Sequence, residues 1–555
     1  MDYKEIIKQY EDAAVRTLQE LVRIPSVMAD ALPDKPFGEE VNRAFEYMLE
    51  LGRQADFDTV NVDGWGGHIE WAYDPDAAAN VTNAGANVND ATTADIDTPL
   101  AIPAAPATTS TTSSVTLATT PDIPTTPTTP APQSPKVAPD EILGIPVHVD
   151  VVPVGDGWAF DPFSAEIKDG LIYGRGTTDN RGGVVAIYYA MKALKESGYK
   201  PGCSIRLILG NDEETGWHGM DRYLEDVGLP TFGFSPDTDF PAINGEMGIM
   251  NFDIAMKLEG DVAAIDDTTY ELASLTGGQA PNMVPERCRA VLKSTALKSI
   301  QAKAGKKSKK KGIDVGPLYK KVLDKVGAYK ERTGYDITAK IKGKSLEIIT
   351  LGIAAHGSIP EQGLNAVTIM MDFLREVPLD SDKTIAFIDF YNEYIGFELG
   401  GESLGLDLSD APSGHLVFNV GMIKIDKEAI ILTVNVRYPV TKSSDDVYAI
   451  LKPLVTSKDM GIVVGMDQKP IFFPADEPFI RTLVDVYREV TGDTQSEPRV
   501  IGGGTYARAI PRAVAYGPRF PGREDLMHKR DEYLHIEDFI KSIYIFAGAI
   551  KKLTE

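Results

Sequence analysis

Between residues 147 and 215 the chain places one imidazole and several carboxylates where strands should end or glycines bend the backbone. The segments read V-H-V-D-V-V-P at 147–153, G-R-G-T-T-D-N at 174–180 and N-D-E-E-T at 211–215. Nitrogen and oxygen donors of this kind suit divalent cations, and their number is enough for two ions, which points to metal-assisted hydrolysis. His148 and Asp150 stand two apart on an expected strand and so share a face, where Asp150 can hold the second ring nitrogen and fix the tautomer. A satisfied strand histidine is the plainer alternative. Asp179 comes just before a helix expected from about Gly182, where its carboxylate can reach the crevice beyond the strand ends or simply cap the helix. Glu213 and Glu214 follow an apolar run that ends at Gly210; adjacent like charges repel unless something cationic lies between them. One can bind metal while the other takes a proton from the attacking water, the alternative being an exposed acidic turn. Asp237, with Asp239 as its competitor, lies in F-S-P-D-T-D-F-P, and His528 in M-H-K-R-D-E-Y is the best distant imidazole.

The elements that must position these groups follow from apolar spacing. Buried strands are expected at 142–152 and 204–209, and a helix at 183–197 with Val184, Ile187, Tyr188, Met191 and Leu194 along one side. An amphipathic helix is expected at 1–23. Strand, loop, helix and strand in that order imply an α/β fold with a mixed central sheet flanked by helices. A second α+β region, 251–438, has its own strands at 250–256, 289–292, 345–352, 416–420 and 429–437. Beyond Pro439 a helix at 444–457, a strand near Ile462 and helices at 479–490 and 536–552 return to the first style. The expected organisation is therefore a catalytic domain from 1–250 and 439–555, split by an inserted domain at 251–438. Residues 74–139 are rich in Thr, Pro, Ala and Asn with no apolar period, the composition of a disordered insertion; a glycosylated or partner-binding stalk is the alternative. The basic run 303–311 reads as a solvated loop.

With 555 residues and a formal net charge of -25, the chain is large enough for two cores and repels phosphate backbones and anionic lipid. Nucleic-acid and membrane partners are excluded on that ground, leaving small molecules and metals. No apolar run is long enough to cross a bilayer, the first twenty residues are charged throughout, and the two cysteines, Cys203 and Cys288, form no C-x-x-C pair. The expectation is a cytoplasmic protein with reduced cysteines. His218, four after Glu214, could mimic a helical ligand pair but is read as a bland histidine; His68, His415 and His535 have no carboxylate partners at telling spacing and read as structural or exposed.

The order of motifs, H-V-D-V-V-P, G-D-G-W with D-P-F, Y-G-R-G-x-x-D, E-E-T, S-P-D and P-G-x-x-D-x-M-H, resembles the di-zinc metallopeptidase family of carboxypeptidase G, the aminoacylases and the PepV-type dipeptidases. The likeness to the PepV-type dipeptidases is carried by N-G-E-M-G at 244–248, A-A-H-G-S-I-P-E-Q-G-x-N-A at 354–366 and G-G-G-T-Y-A-R at 502–508. It implies that Asp179 bridges two zinc ions, with His148 and Asp237 on one and Glu214 and His528 on the other; manganese and cobalt also suit such ligands. It further implies Glu213 as the base acting on a metal-bridging water, Asp150 as the group orienting His148, and His356 as an oxyanion donor. Asn282 and Arg437 would hold the substrate's carbonyl and C-terminal carboxylate, and the inserted domain would be a ferredoxin-like lid. Val147 replaces a frequent glycine, Asn180 a frequent acid, and Asp237 resembles the peptidase branch, which favours a substrate with a free amino terminus. The implied activity is hydrolysis of dipeptides by a monomer. An N-acyl amino acid deacylase of the same family, or a silent metal-binding scaffold, are the alternatives; the second requires loss of a base, yet Glu213 is present.

Overall fold

A computed structural model describes residues 1–75, 137–259, 267–297, 300 and 314–555. The expected insertion at 74–139 lies, apart from its edges, outside the described residues, and the basic run 303–311 lies wholly outside them.

The strands Ile142–His148 and Ser204–Gly210 are buried along almost their whole length, as near-continuous aliphatic runs must be when both sheet faces are covered. Along the second of these, Ile205, Leu207 and Leu209 join the main core, while Ile208 turns to a smaller cluster with Met220, Tyr223 and Tyr506. This period of two puts apolar contacts on both faces of a nine-stranded mixed sheet. Its strands run in the order 58–62, 66–71, 204–210, 142–148, 232–235, 513–515, 243–246 and 471–472, with 499–501 also on 243–246. The four strands from 204–210 to 513–515 are parallel neighbours, so their carboxyl ends open on one edge. Gly182–Ser197 fills the middle of the helical layer, packed between Tyr3–Val22 and Ile536–Leu553. Its near-complete burial needs apolar residues all round, and the run V-V-A-I-Y-Y-A-M supplies them.

The second sheet has eight strands, all antiparallel, in the order 336–342, 345–351, 287–294, 270–277, 417–425, 429–438, 248–257 and 461–468. That is twice the four strands of a single ferredoxin-like unit. The sequence reading grouped 444–468 with the first sheet. In the structure Gly461–Gln468 instead pairs with Gly248–Lys257, and Val447, Tyr448, Leu451 and Val455 of the helix Ser444–Ser457 sit in the second core. Helix periodicity reports that a face is buried but not against which sheet. Among the described residues no helix is long and apolar enough to cross a membrane.

Candidate active site

The sequence expectation of a strand through Val152 is shortened: the strand ends at His148, and Asp150 lies just beyond it. The two still meet. His148 Nδ1 lies 3.0 Å from the Asp150 carbonyl oxygen and 3.4 Å from its Oδ1, which turns Nε2 outward into the crevice. The Asp150 carboxylate also accepts the backbone N–H groups of Glu213 and Glu214, each at 3.2 Å, so one buried side chain aligns two consecutive strand exits. Val147 turns into the apolar core, on the opposite side from His148, and removes no ligand.

Asp179 sits in the turn Thr177–Arg181 and caps nothing, since the helix beginning at Gly182 has no side-chain cap. Its two oxygens face two imidazoles. Oδ1 is 3.0 Å from His148 Nε2 and Oδ2 is 3.0 Å from His528 Nε2. Asp237 Oδ1 approaches His148 Nε2 at 3.6 Å, while Glu214 Oε2 lies 3.0 Å from His528 Nε2. One carboxylate thus joins two imidazole–carboxylate pairs, His148 with Asp237 and His528 with Glu214. His148, Asp179 and Glu214 by themselves can place ligand atoms within 4.8 Å of one another.

The electrostatics are those of an anionic cluster short of positive charge. Burial, then the charges of Asp237, Glu214 and Asp179, hold Glu213 well above the usual carboxylate range, against the pull of His148. Burial, then Asp179, pushes Glu214 up to about 7. Burial alone would lower His528, yet Glu214 and Asp179 outweigh it and raise the imidazole to about 11. Asp237 Oδ1 is buried without a hydrogen-bond partner. Buried carboxylates in this number are costly unless cations compensate them. The donor set of imidazole nitrogens and carboxylate oxygens fits divalent ions such as zinc, manganese or cobalt.

Comparison with known proteins agrees with this geometry. Residues 144–552 match the family described as Peptidase family M20/M25/M40. The chain is 32% identical over 554 residues to a protein of Bacillus subtilis (strain 168) named "Putative dipeptidase YtjP", with 99% of each chain covered. It is 31% identical over 560 residues to "Putative dipeptidase SH1171" of Staphylococcus haemolyticus (strain JCSC1435), again with 99% of each covered. The chain belongs to the M20 peptidase family. The fold is also that of human carnosine dipeptidase 1, with a TM-score of 0.50 at 14% identity over 100% of this chain and 98% of that one. Family membership makes it a metallopeptidase, an enzyme that needs divalent metal.

Around the cluster of this M20 peptidase, the competing readings separate. Asp239 is held by Arg499 and Arg519 and is not a member of the cluster; Asp237, two residues before it, is. His218 is 76% exposed and, among the described residues, its ring pairs with Asp212 at 3.5 Å and not with Glu214, so its spacing from Glu214 is coincidental. His68, read as structural or exposed, is structural: it lies buried, 3.3 Å from Glu70 and 2.8 Å from the Tyr223 hydroxyl. His415 is exposed, and His535 packs on Tyr533.

The second sheet brings its own groups to the same cleft. Met283 and His356 form an antiparallel bridge, and Gly357 N–H donates to the Asn282 carbonyl at 2.7 Å, so Asn282 and His356 are adjacent. His356 Nδ1 accepts from the Ser358 N–H at 3.3 Å and lies 2.6 Å from its Oγ, leaving Nε2 as the protonated nitrogen of the neutral ring. Burial, then the nearby charges of Arg437 and His528, push His356 down to about 4. Gly502 closes the contact between the two units, since a Cβ added there would stand 3.0 Å from Ser358 Cβ.

Arg437 is buried on the strand Ala429–Tyr438, with its Nε donating to Asn435 Oδ1 at 3.1 Å and no carboxylate in ion-pairing range among the described residues. Burial, then the charge of Arg508, lowers it to about 9. Arg508 is different: it pairs with Glu246 at 2.6 Å and donates to the carbonyls of Lys469, Met247 and Gly503.

Several supporting residues escaped the sequence reading. Trp217 Nε1 donates to the Glu213 carbonyl at 3.0 Å, and the buried Tyr506 ring stands edge-on to both Trp217 and His148. Glu532 and Arg175 meet beneath Asp179. Tyr506 and Arg175 lie inside motifs already noted, but only contact across the fold gives them partners.

Proposed function

We propose that this M20 peptidase is a dipeptidase acting on dipeptides with a free amino terminus. The observation that carries the reading is the split of Asp179 between His148 and His528, opposite a buried arginine with no carboxylate in ion-pairing range among the described residues. His148 and Asp237 would hold one ion, His528 and Glu214 the other, with Asp179 shared and zinc as the resident metal. Bound there, divalent ions supply Lewis acidity and lower the pKa of water.

The chain's own residues do the rest. Glu213, whose backbone is fixed by Asp150 and Trp217, takes the proton from the attacking water and passes it to the departing nitrogen. His356 donates its Nε2 proton in a hydrogen bond to the developing oxyanion, a role that requires the ring to stay neutral with its proton away from Ser358. The Arg437 guanidinium receives the substrate's C-terminal carboxylate, which would supply the missing counter-charge, and Asn282 holds the carbonyl oxygen. His356 feels the charges of both Arg437 and His528, so the carboxylate reader and the cluster would flank one span, which favours short peptides. Because the second sheet is doubled to eight strands and could stand in for a partner's lid, we read the working unit as a monomer. Two buried, unbridged cysteines suit the cytoplasm.

The test is hydrolysis of a panel of dipeptides, their N-acetylated forms and tripeptides, before and after chelation. Dipeptides should be cleaved, the acetylated forms and tripeptides poorly, and chelation should abolish turnover until metal is restored. Preference for the acetylated forms would favour a deacylase and overturn the assignment.

A further inference from the structure

The Arg175–Glu532 ion pair has both partners almost completely buried, with Nη1 and Oε2 2.7 Å apart. Buried pairs of this kind cost much of their attraction in lost hydration, so their presence is weak support for stability as such. Their hydrogen bonds show what they hold. Glu532 Oε2 also accepts the Gly176 N–H at 3.0 Å, and Oε1 accepts those of Thr178 at 2.8 Å and Asp179 at 3.3 Å. Its carbonyl takes the Gly174 N–H at 2.9 Å. Every one of these donors lies on the segment that carries the shared carboxylate.

The other end of the pair serves the opposite ligand. Arg175 Nη2 donates to the His528 carbonyl at 3.2 Å, while the guanidinium lies over the Trp158 ring at 5.2 Å. His528 has a φ of 64°, a left-handed conformation that a residue with a Cβ adopts only where surroundings enforce it. The gripped carbonyl belongs to that residue. Asp179 and His528 are therefore tied at the backbone by one ion pair, although hundreds of positions separate them in sequence.

We propose that Arg175 and Glu532 are positioning residues that set the spacing of Asp179 and His528, and so govern the affinity of the ion held by Asp179, His528 and Glu214 more than that of its neighbour. This rests on the two-ion reading above. The asymmetry follows from geometry: Glu532 fixes the Asp179 segment common to both half-sites, but Arg175 touches only the His528 side, whereas His148 is braced by Asp150.

The experiment is zinc titration of metal-stripped full-length protein, with a competing chelator, for wild type, Glu532→Gln and Arg175→Lys, with circular dichroism as the measure of folding. Glu70→Gln, in the part-buried Glu70–Arg206 pair on another strand, controls for general loss of stability. Wild type and Glu70→Gln should bind two equivalents. Arg175→Lys should keep one equivalent at wild-type affinity and bind the second about 10–100-fold more weakly, the range found when partners behind metal ligands are removed, while Glu532→Gln, which also loosens the shared Asp179 segment, should weaken the second at least as much and the first by less. Unchanged affinity for both ions, or equal weakening of both, overturns the proposal while leaving the two-ion reading intact. Fewer than two equivalents on wild type overturns that reading instead. If Glu532→Gln does not fold, Arg175→Lys decides alone, and failure of both to fold assigns the pair to stability and refutes the positioning role.

Discussion

The ends of the parallel strands and the facing edge of the antiparallel sheet carry opposite charge imbalances. On the first, Asp179, Glu213, Glu214 and Asp237 crowd around two imidazoles, and Asp237 Oδ1 has no hydrogen-bond partner among the described residues. On the second, Arg437 is buried with no ion-pairing carboxylate among the described residues, and His356 is kept neutral beside it. A structural ion-pair network would cancel its charge internally, as Arg508 and Glu246 do a short distance away. These two regions do not, and what each lacks matches what the proposed reaction brings: cations to one side and a carboxylate to the other. The difference teaches that uncompensated buried charge, more than charge itself, marks a site.

Breaking the anionic side should have the largest effect. Glu213→Ala is expected to lower kcat by about 10²–10⁴-fold with metal content and folding retained, measured by steady-state kinetics beside metal analysis. Full activity in that variant would remove Glu213 from the mechanism. On the facing side, His356→Ala should cost about 10²–10³-fold in kcat with little change in KM, because its hydrogen bond strengthens only as the oxyanion forms. A smaller, different signature is expected at Arg437. Arg437→Ala should raise KM for dipeptides by about 10–100-fold and erase the preference for a free carboxylate over a C-terminal amide. If it lowered kcat alone, the arginine would belong to the chemical step and not to substrate capture.

The smallest effect is on acid stability. His356 titrates near 6.5 when unfolded and at about 4 in the folded metal-stripped chain, so between those values only the unfolded state binds the proton. Its contribution to stability is therefore flat above about pH 6.5, falls as pH drops toward 4, and levels below that. Urea midpoints at pH 7.5 and 4.5 should differ less for His356→Gln than for wild type. An equal difference would mean that the ring does not sit in the buried cationic surroundings described.

Much of the fold could be read along the chain because its signals are local. The aliphatic runs at 142–148 and 204–210 and the helix at 182–197 announce themselves by length and period, and the carboxylates follow at their ends. The grouping of Ser444–Ser457 and Gly461–Gln468 could not, since an amphipathic helix and a short strand carry no label for the sheet they join. At the site, Asp237 and Asp239 are equivalent in sequence, two apart on alternating backbone; only Arg499 and Arg519, far along the chain, decide that Asp239 is neutralised and Asp237 left free.

The chain by itself determined which donors are present, that they stand at strand ends and turns, and that the net charge excludes polyanions, because composition and short-range periodicity are properties of neighbouring residues. Tertiary structure alone decided that one Asp179 oxygen meets His148 and the other His528, that Arg175 closes on Glu532, and that Arg437 is buried with no counter-ion among the described residues. The physical reason is that coordination and charge compensation depend on distances of a few ångströms between residues hundreds of positions apart. Those distances exist only once both sheets have packed their cores.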